Sequence, residues 1–444
     1  MPRKSYLELV NDSTGFYFTL RKLFALCMRS VKSVGLISVD QALSSLSNLV
    51  ASIIAAHALE PADFGVFGII FAIYLLAIDS VRAITGETLL LAGAQRAKEA
   101  AAINLVVSAA FGLLIGMVVL AGSYFVDGAL ATGLAILGFG LAGLTVQDTI
   151  RYIGFAAKQI HLSLIADSLW LAFMAVASLL TATGETASLA RVAGTWIFTG
   201  CAAALCTLPF VRVHGPIFTR LTLWLREKRV MMASLLIDRG IVSATQQSVI
   251  FIIAILIGLE GNAAYRGAQI VMGPINVFAM GISTAMIPHF VGIWQERPEA
   301  LHREAIKFSV LGGFSILAIS QAAAWMPDQI GRALVGQSWQ LSQPILHAMA
   351  LIIPLQISNF AALGALRAMG RVRGALVVRV IVAPSTVLAI AVAAYFGSIS
   401  AVVWTQAVCT ALAAVVWWSV TKKNHQLGLK ELIVSKSASV DSGK

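Results

Sequence analysis

Residues 40–65 read DQALSSLSNLVASIIAAHALEPADFG, and the organisation of the chain follows outward from them. From Gly35 to Ala56 the chain is long enough for a membrane-spanning helix, which needs roughly 20 residues. Asp40, Ser44, Ser45, Ser47 and Asn48 are polar groups that hydrocarbon does not tolerate, so such a helix must turn one face toward other helices or water. Glu60-Pro61 then breaks it before Phe64-Gly65. The pattern returns at Asp238, which Ser243, Thr245 and Gln246 follow at the offsets of Ser45, Ser47 and Asn48 from Asp40. Leu259-Glu260 and Gly267 echo Leu59-Glu60 and Gly65. Polar positions repeated inside apolar segments read as a duplicated membrane unit.

Composition agrees. Of 444 residues, 58% are hydrophobic and 12% charged, with a mean hydropathy of +0.85. Soluble domains carry about 25% charged residues, so this is an integral membrane protein. A net charge of +11 would suggest a nucleic-acid partner in a soluble protein. Here cytoplasmic loops account for it, and no nucleic acid is expected. Cys27, Cys201, Cys206 and Cys409 sit in apolar surroundings without ligand-like spacing, so they read as packed small hydrophobes.

Residues 1–34 form a lead-in. Within it Phe16, Leu20, Leu23, Phe24, Cys27 and Val31 oppose Arg21, Lys22, Arg29 and Lys32, the pattern of a basic amphipathic helix on an anionic leaflet. A plain approach to the first span fits as well. About twelve spans follow by length and hydropathy: 35–57, 64–90, 101–122, 129–150, 161–182 and 192–211, then 232–258, 263–290, 307–326, 343–366, 374–395 and 398–420. The long second and eighth could be tilted or kinked. Lys and Arg fall in alternate loops: Arg96 and Lys98; Arg151 and Lys158; the cluster from Arg212 to Arg229; Arg297, Arg303 and Lys307; Arg367, Arg371 and Arg373. The opposite loops hold Arg191, Arg266 and Arg332; Arg266, at the outer end of the second repeat, reads as facing water, with receiving the headgroup there as the alternative. Both termini are therefore expected in the cytoplasm.

The basic linker 212–230 separates an N-lobe (35–211) from a C-lobe (231–420), with a tail at 421–444. The expected fold is an all-α polytopic membrane protein: two six-helix lobes related by a parallel repeat around a central cavity. Pro274, Pro354 and Pro384 fall inside second-lobe spans, and Gly273-Pro274 is the candidate hinge, with a static kink as the alternative.

Several stretches carry a family resemblance: DQALSSLSN and HALEPADFGVFG; VRAITGETLLLAG; TVQDTIRYIGFA and IADSLWL; and PILHAMALIIPLQISNFAALGALRAMGRVRGAL. In order, over most of residues 35–395, the chain resembles the polysaccharide flippase branch of the multidrug/oligosaccharidyl-lipid/polysaccharide exporter superfamily, which includes O-antigen and teichoic-acid exporters. The resemblance implies twelve helices in two lobes around a cavity. It further implies export of a polyprenyl-linked glycan across the bacterial cytoplasmic membrane by alternating access. The partners implied are a lipid-linked glycan, membrane lipids and glycan-assembly proteins.

Ionisable residues within spans cost roughly 2.5–3.5 kcal/mol on insertion scales, which makes them functional candidates. Asp40, Asp79, Arg82, Glu87, Asp148, Asp167, Asp238 and Arg239 crowd the cytoplasmic half. Asp79 and Arg82 share a helix face, as do Asp148 and Arg151. Two readings stand: Arg82 and Arg239 line the cavity and meet a lipid pyrophosphate, or the charges form a belt of ion pairs. Asp40, Asp79 and Asp238 are the candidates for coupling a proton or sodium ion. Ser45, Asn48, Gln246, Gln247 and Gln269 form an uncharged polar stripe suited to sugar hydroxyls, against the alternative of helix–helix hydrogen bonding. The chain shows no catalytic, metal or cofactor motif, so it reads as a non-enzyme. A drug or cation antiporter of the same fold and a membrane glycan polymerase or ligase are the rival classes.

Overall fold

The computed structural model describes residues 47–92, 94–180, 187–211 and 217–441. Asp40 and Ser45 lie outside the described residues. These residues form helices and no strands; twelve helices, the first of them short as described, follow in chain order. The first six are α1 (Ser47–Ala58), α2 (Pro61–Val81, continuing through a π-helical turn at Arg82–Gly86 into Glu87–Ala92), α3 (Ala94–Ser123), α4 (Gly128–Ala156), α5 (His161–Leu180) and α6 (Leu189–Thr207). Then come α7 (Ile217–Leu256), α8 (Leu259–Glu296), α9 (Leu301–Ala324), α10 (Leu346–Ala368), α11 (Val372–Phe396) and α12 (Ile399–Asp441). Ten helical segments, from Pro61–Leu90 to Ile399–Glu431, are long and apolar enough to cross a membrane. α8 is an unbroken helix of 38 residues, about 57 Å at 1.5 Å per residue.

Local chemistry sets the breaks. Glu60 is extended (φ −64°, ψ 156°) because a residue before proline is pushed out of the helical region, and Pro61 opens α2 where its missing N–H costs nothing. Between α7 and α8, Gly258 has φ +109°, which favours glycine, and its N–H reaches the Ile253 carbonyl at 2.9 Å. The stretch 212–230, expected as a linker, is helical from Ile217 onward. No proline or glycine interrupts the chain before Gly240, so it simply lengthens α7. The expected tail likewise continues α12 as far as Asp441.

The packing repeats between the halves. α3 lies on α4, α2 on α4, α4 on α6 and α5 on α6; correspondingly α9 lies on α10, α8 on α10, α10 on α12 and α11 on α12. The halves meet chiefly through α2, which packs on both α7 and α8. Close approach there needs Gly65: a Cβ at that position would stand 2.0 Å from the Leu259 carbonyl oxygen, while Asn262 Nδ2 donates to the Gly65 carbonyl at 2.7 Å. Phe67, Phe71 and Tyr74 of α2 pack on Trp196 of α6 with ring centroids 4.9–5.6 Å apart, a contact that anchors α2 in its own lobe. Leu114, Phe139, Phe314 and Leu388 are each more than half exposed, the outward apolar surface of a protein whose solvent is lipid.

Candidate functional site

Between the lobes lies a cavity with two adjoining arms of about 450 and 430 Å³. Asn48 and Ser52 of α1 with Phe71 of α2 line one arm. Gln246 and Gln247 of α7, Tyr265 of α8, Gln356 of α10 and Gln406 of α12 line the other. Both arms share Leu75, Arg266, Gln269, Gly273 and Asn276. The four from α8 are spaced by three, four and three residues, so a single helix face presents them to both arms. Pro274 lines the first arm within the unbroken α8. Among the described residues, neither arm has an aspartate or glutamate in its lining.

Of the described residues lining this cavity, Arg266 is the one that is charged. Its Nη1 donates to Gln269 Oε1 at 3.0 Å and its Nη2 to Ser52 Oγ at 2.8 Å. The guanidinium carbon lies 3.9 Å from the Phe71 ring centroid, a cation–π contact. Among the described residues, its Nε is buried without a hydrogen-bond partner and no carboxylate lies within ion-pair reach. Neutral dipoles and a ring face compensate a buried cation only in part, which leaves a planar donor group with capacity for an anion. The sequence expectation placed Arg266 in water, and the structure corrects it to 9% exposed. α8 begins at Leu259, so Arg266 sits about 10 Å inside the helix and is turned toward the other lobe.

Arg82 and Arg239, for which cavity lining and an ion-pair belt both stood open, line neither arm and stand in a charged layer beside the cavity. Arg82 binds Asp148 through two bonds of 2.8 Å and reaches Asp79 at 3.3 Å. Arg151 contacts Asp148 and Asp167 at 3.0 Å each, and Gln147 donates to Asp167 at 2.9 Å. Arg151 is therefore a buried ion-pair partner rather than the loop cation counted from sequence. Between the lobes, Ser243 Oγ donates to Asp79 at 2.8 Å and Arg239 pairs with Glu87, while Asp238 pairs with Arg379 of α11. These contacts have the geometry of the ion-pair belt. Both Asp79 and Asp238, proposed to couple an ion, are thus held by arginines.

Asn48, Gln246, Gln247 and Gln269 are brought together at the cavity. Sequence reasoning passed over Ser52, Tyr265, Asn276, Gln356 and Gln406, although Gln269 and Asn276, seven residues apart on one helix, were a readable stripe. Tyr265 donates to Gln406 Oε1 at 3.1 Å, so part of this polarity is committed to joining α8 with α12.

No family model matches the chain, and no curated protein matches it in sequence. Solved structures match in fold. An inward-facing multidrug resistance MATE family transporter of the MOP superfamily superposes with TM-score 0.66 at 13% identity, over 87% of this chain and 96% of that one. The lipid II flippase MurJ, in an inward closed conformation, gives 0.59 at 11% identity, over 89% and 91%. A MOP superfamily transporter from Pyrococcus furiosus, described as having a binding pocket of reversed polarity, gives 0.55 at 13% identity, over 89% and 96%. The chain therefore has the helical fold that the MATE and MurJ transporters share.

Proposed function

We propose that the protein moves an amphipathic anion, a polyprenyl phosphate- or pyrophosphate-linked glycan, across its membrane by alternating access between two lobes, 35–211 and 231–420. The observation that carries this reading is Arg266, a buried arginine without a carboxylate partner among the described residues, in a cavity of amide and hydroxyl groups. A phosphate oxygen is the natural partner for its unused donors, and neutral amides suit sugar hydroxyls without fixing them in a deep well. A multidrug or cation antiporter of the same fold is the second reading, since a multidrug transporter is among the matching structures. An organic cation would meet Arg266 and find no carboxylate in the described lining, and that favours the anion. The Lys and Arg distribution supports both termini lying in the cytoplasm, and the family resemblance implies a bacterial cytoplasmic membrane.

The test is flipping of a fluorescent polyprenyl-pyrophosphate oligosaccharide in proteoliposomes. Arg266→Gln is expected to lower transport about tenfold or more, the worth of a charge-assisted hydrogen bond of roughly 2 kcal/mol. Arg266→Lys is expected to fall between, because it keeps the charge and loses the fork. Wild-type flipping by Arg266→Gln would remove the anion site. Efflux of lipophilic cations by the wild type, without glycan transport, would favour the antiporter.

A further inference from the structure

Away from the central cavity, and sharing no lining residue with it, a groove of about 530 Å³ runs between α9, α10 and α12. Its lining changes character along its length. His302 and Lys422 mark one end; Ile306 and Val310, one and two turns deeper on α9, and Val415 of α12 line the other. Ile306, Val310 and Val415 are between 41% and 64% exposed, so the groove opens sideways onto the lipid-facing surface rather than into the protein. Trp418 forms a wall, its Nε1 bonded to Ser358 Oγ at 2.9 Å and its ring edge-on to His302. An indole in that position is typical of the hydrocarbon–water boundary.

The polar end is basic and incompletely satisfied. Among the described residues, Lys422 is exposed and makes no ion pair, and no acidic residue lines the groove. The nearest carboxylate on α9, Glu304, is taken by Lys307 at 2.9 Å and Arg303 at 3.6 Å. His302 Nδ1 is buried without a hydrogen-bond partner among the described residues, while the stacked His425 is engaged through Nε2 with the Pro298 carbonyl. Any occupant must offer a negative head to Lys422 and His302 and an apolar stem to Ile306, Val310 and Val415. We propose that this groove binds an anionic phospholipid of the surrounding bilayer, its phosphate at Lys422 and His302 and an acyl chain along Val310 and Val415. The volume lies in the ordinary range of small-molecule sites, and basic pockets between membrane helices are recognised sites for anionic headgroups.

Native mass spectrometry of the full-length protein with equimolar phosphatidylglycerol and phosphatidylcholine tests this. The wild type is expected to retain one phosphatidylglycerol with about fivefold or greater preference, the worth of one lysine near an anionic headgroup. Lys422→Gln should bring the preference near parity. Lys423→Gln, whose side chain does not line the groove, should leave it unchanged, and Ala414→Trp, which fills the groove, should abolish retention of either lipid. An unchanged preference in Lys422→Gln, or an equal loss in Lys423→Gln, overturns the site. Displacement of phosphatidylglycerol by an equimolar polyprenyl phosphate overturns the phospholipid assignment. None of these outcomes bears on Arg266 or the central cavity.

Discussion

Asp148 and Arg266 are opposite cases of a charge inside a membrane helix. Asp148 is shared by Arg82 and Arg151, and Arg151 is shared in turn with Asp167, so the buried charges of this layer satisfy one another. Removing one partner strands the others: Asp148→Asn leaves two guanidiniums side by side with one fewer carboxylate. Breaking a buried pair costs about 3–5 kcal/mol. Partial exposure of Arg82 places the expected loss near the lower figure, read as earlier thermal unfolding in detergent. Asp148→Asn unfolding at the wild-type temperature would show that the layer is not structural. Arg266→Gln, by contrast, removes a charge that no described carboxylate needs and is expected to unfold no earlier than the wild type. The Asp79–Arg82 and Asp148–Arg151 contacts were readable as three-residue helix spacings. The Arg82–Asp148 pair, 66 positions apart, was not.

At the scale of elements, α2 is the piece on which both lobes are assembled. Its π-helical turn at Arg82–Gly86 shifts the register of the second half. The same region is tied by hydroxyls to two neighbours: Thr85 approaches Thr149 of α4 at 3.3 Å, and Thr149 donates to Ser108 of α3 at 2.8 Å. At the other end, Gly65 permits backbone contact with α8. Gly65→Val is expected to force the junction apart, with loss of transport and destabilisation of roughly 1–3 kcal/mol or more from overpacking. Gly240→Ala, in α7, is the control, because its new Cβ would meet nothing within 4 Å. Equal behaviour of the two variants would discount the junction. The length and hydropathy of α2 were legible in sequence, and its break at Pro61 was as well. The π turn was not, since nothing in RAITG distinguishes it from ordinary helix.

For the molecule as a whole, the lobes touch along α2 on either side of the cavity. Gly65 meets Asn262 at one end; Asp79 meets Ser243 and Glu87 meets Arg239 toward the other, with Phe71 and Leu75 facing the cavity between them. Gly65 and Glu87 are about 33 Å apart along the helix, close to the thickness of a hydrocarbon core. Alternating access under the proposed reading requires these junctions to open in turn. Weakening one with Asp79→Asn and Glu87→Gln is expected to expose the cavity from that side. A Gln246→Cys reporter, with the four native cysteines replaced, should then react several-fold faster with a membrane-impermeant thiol reagent applied there. An unchanged rate would mean that these contacts do not close the passage.

The sequence by itself determined that the chain lives in a membrane, that its helices number about twelve and that a polar stripe recurs in both halves. Those facts rest on hydropathy and local spacing, which need no knowledge of partners. Only the tertiary structure decided what each polar group faces. Hydrogen bonds and ion pairs join residues far apart in the chain, and a few residues' difference in helix start moves a side chain from loop to interior. Arg266, counted among water-facing loop cations, lies at the cavity for that reason, and Arg82, for which the cavity and an ion-pair belt both stood open, is held by Asp148 and Asp79.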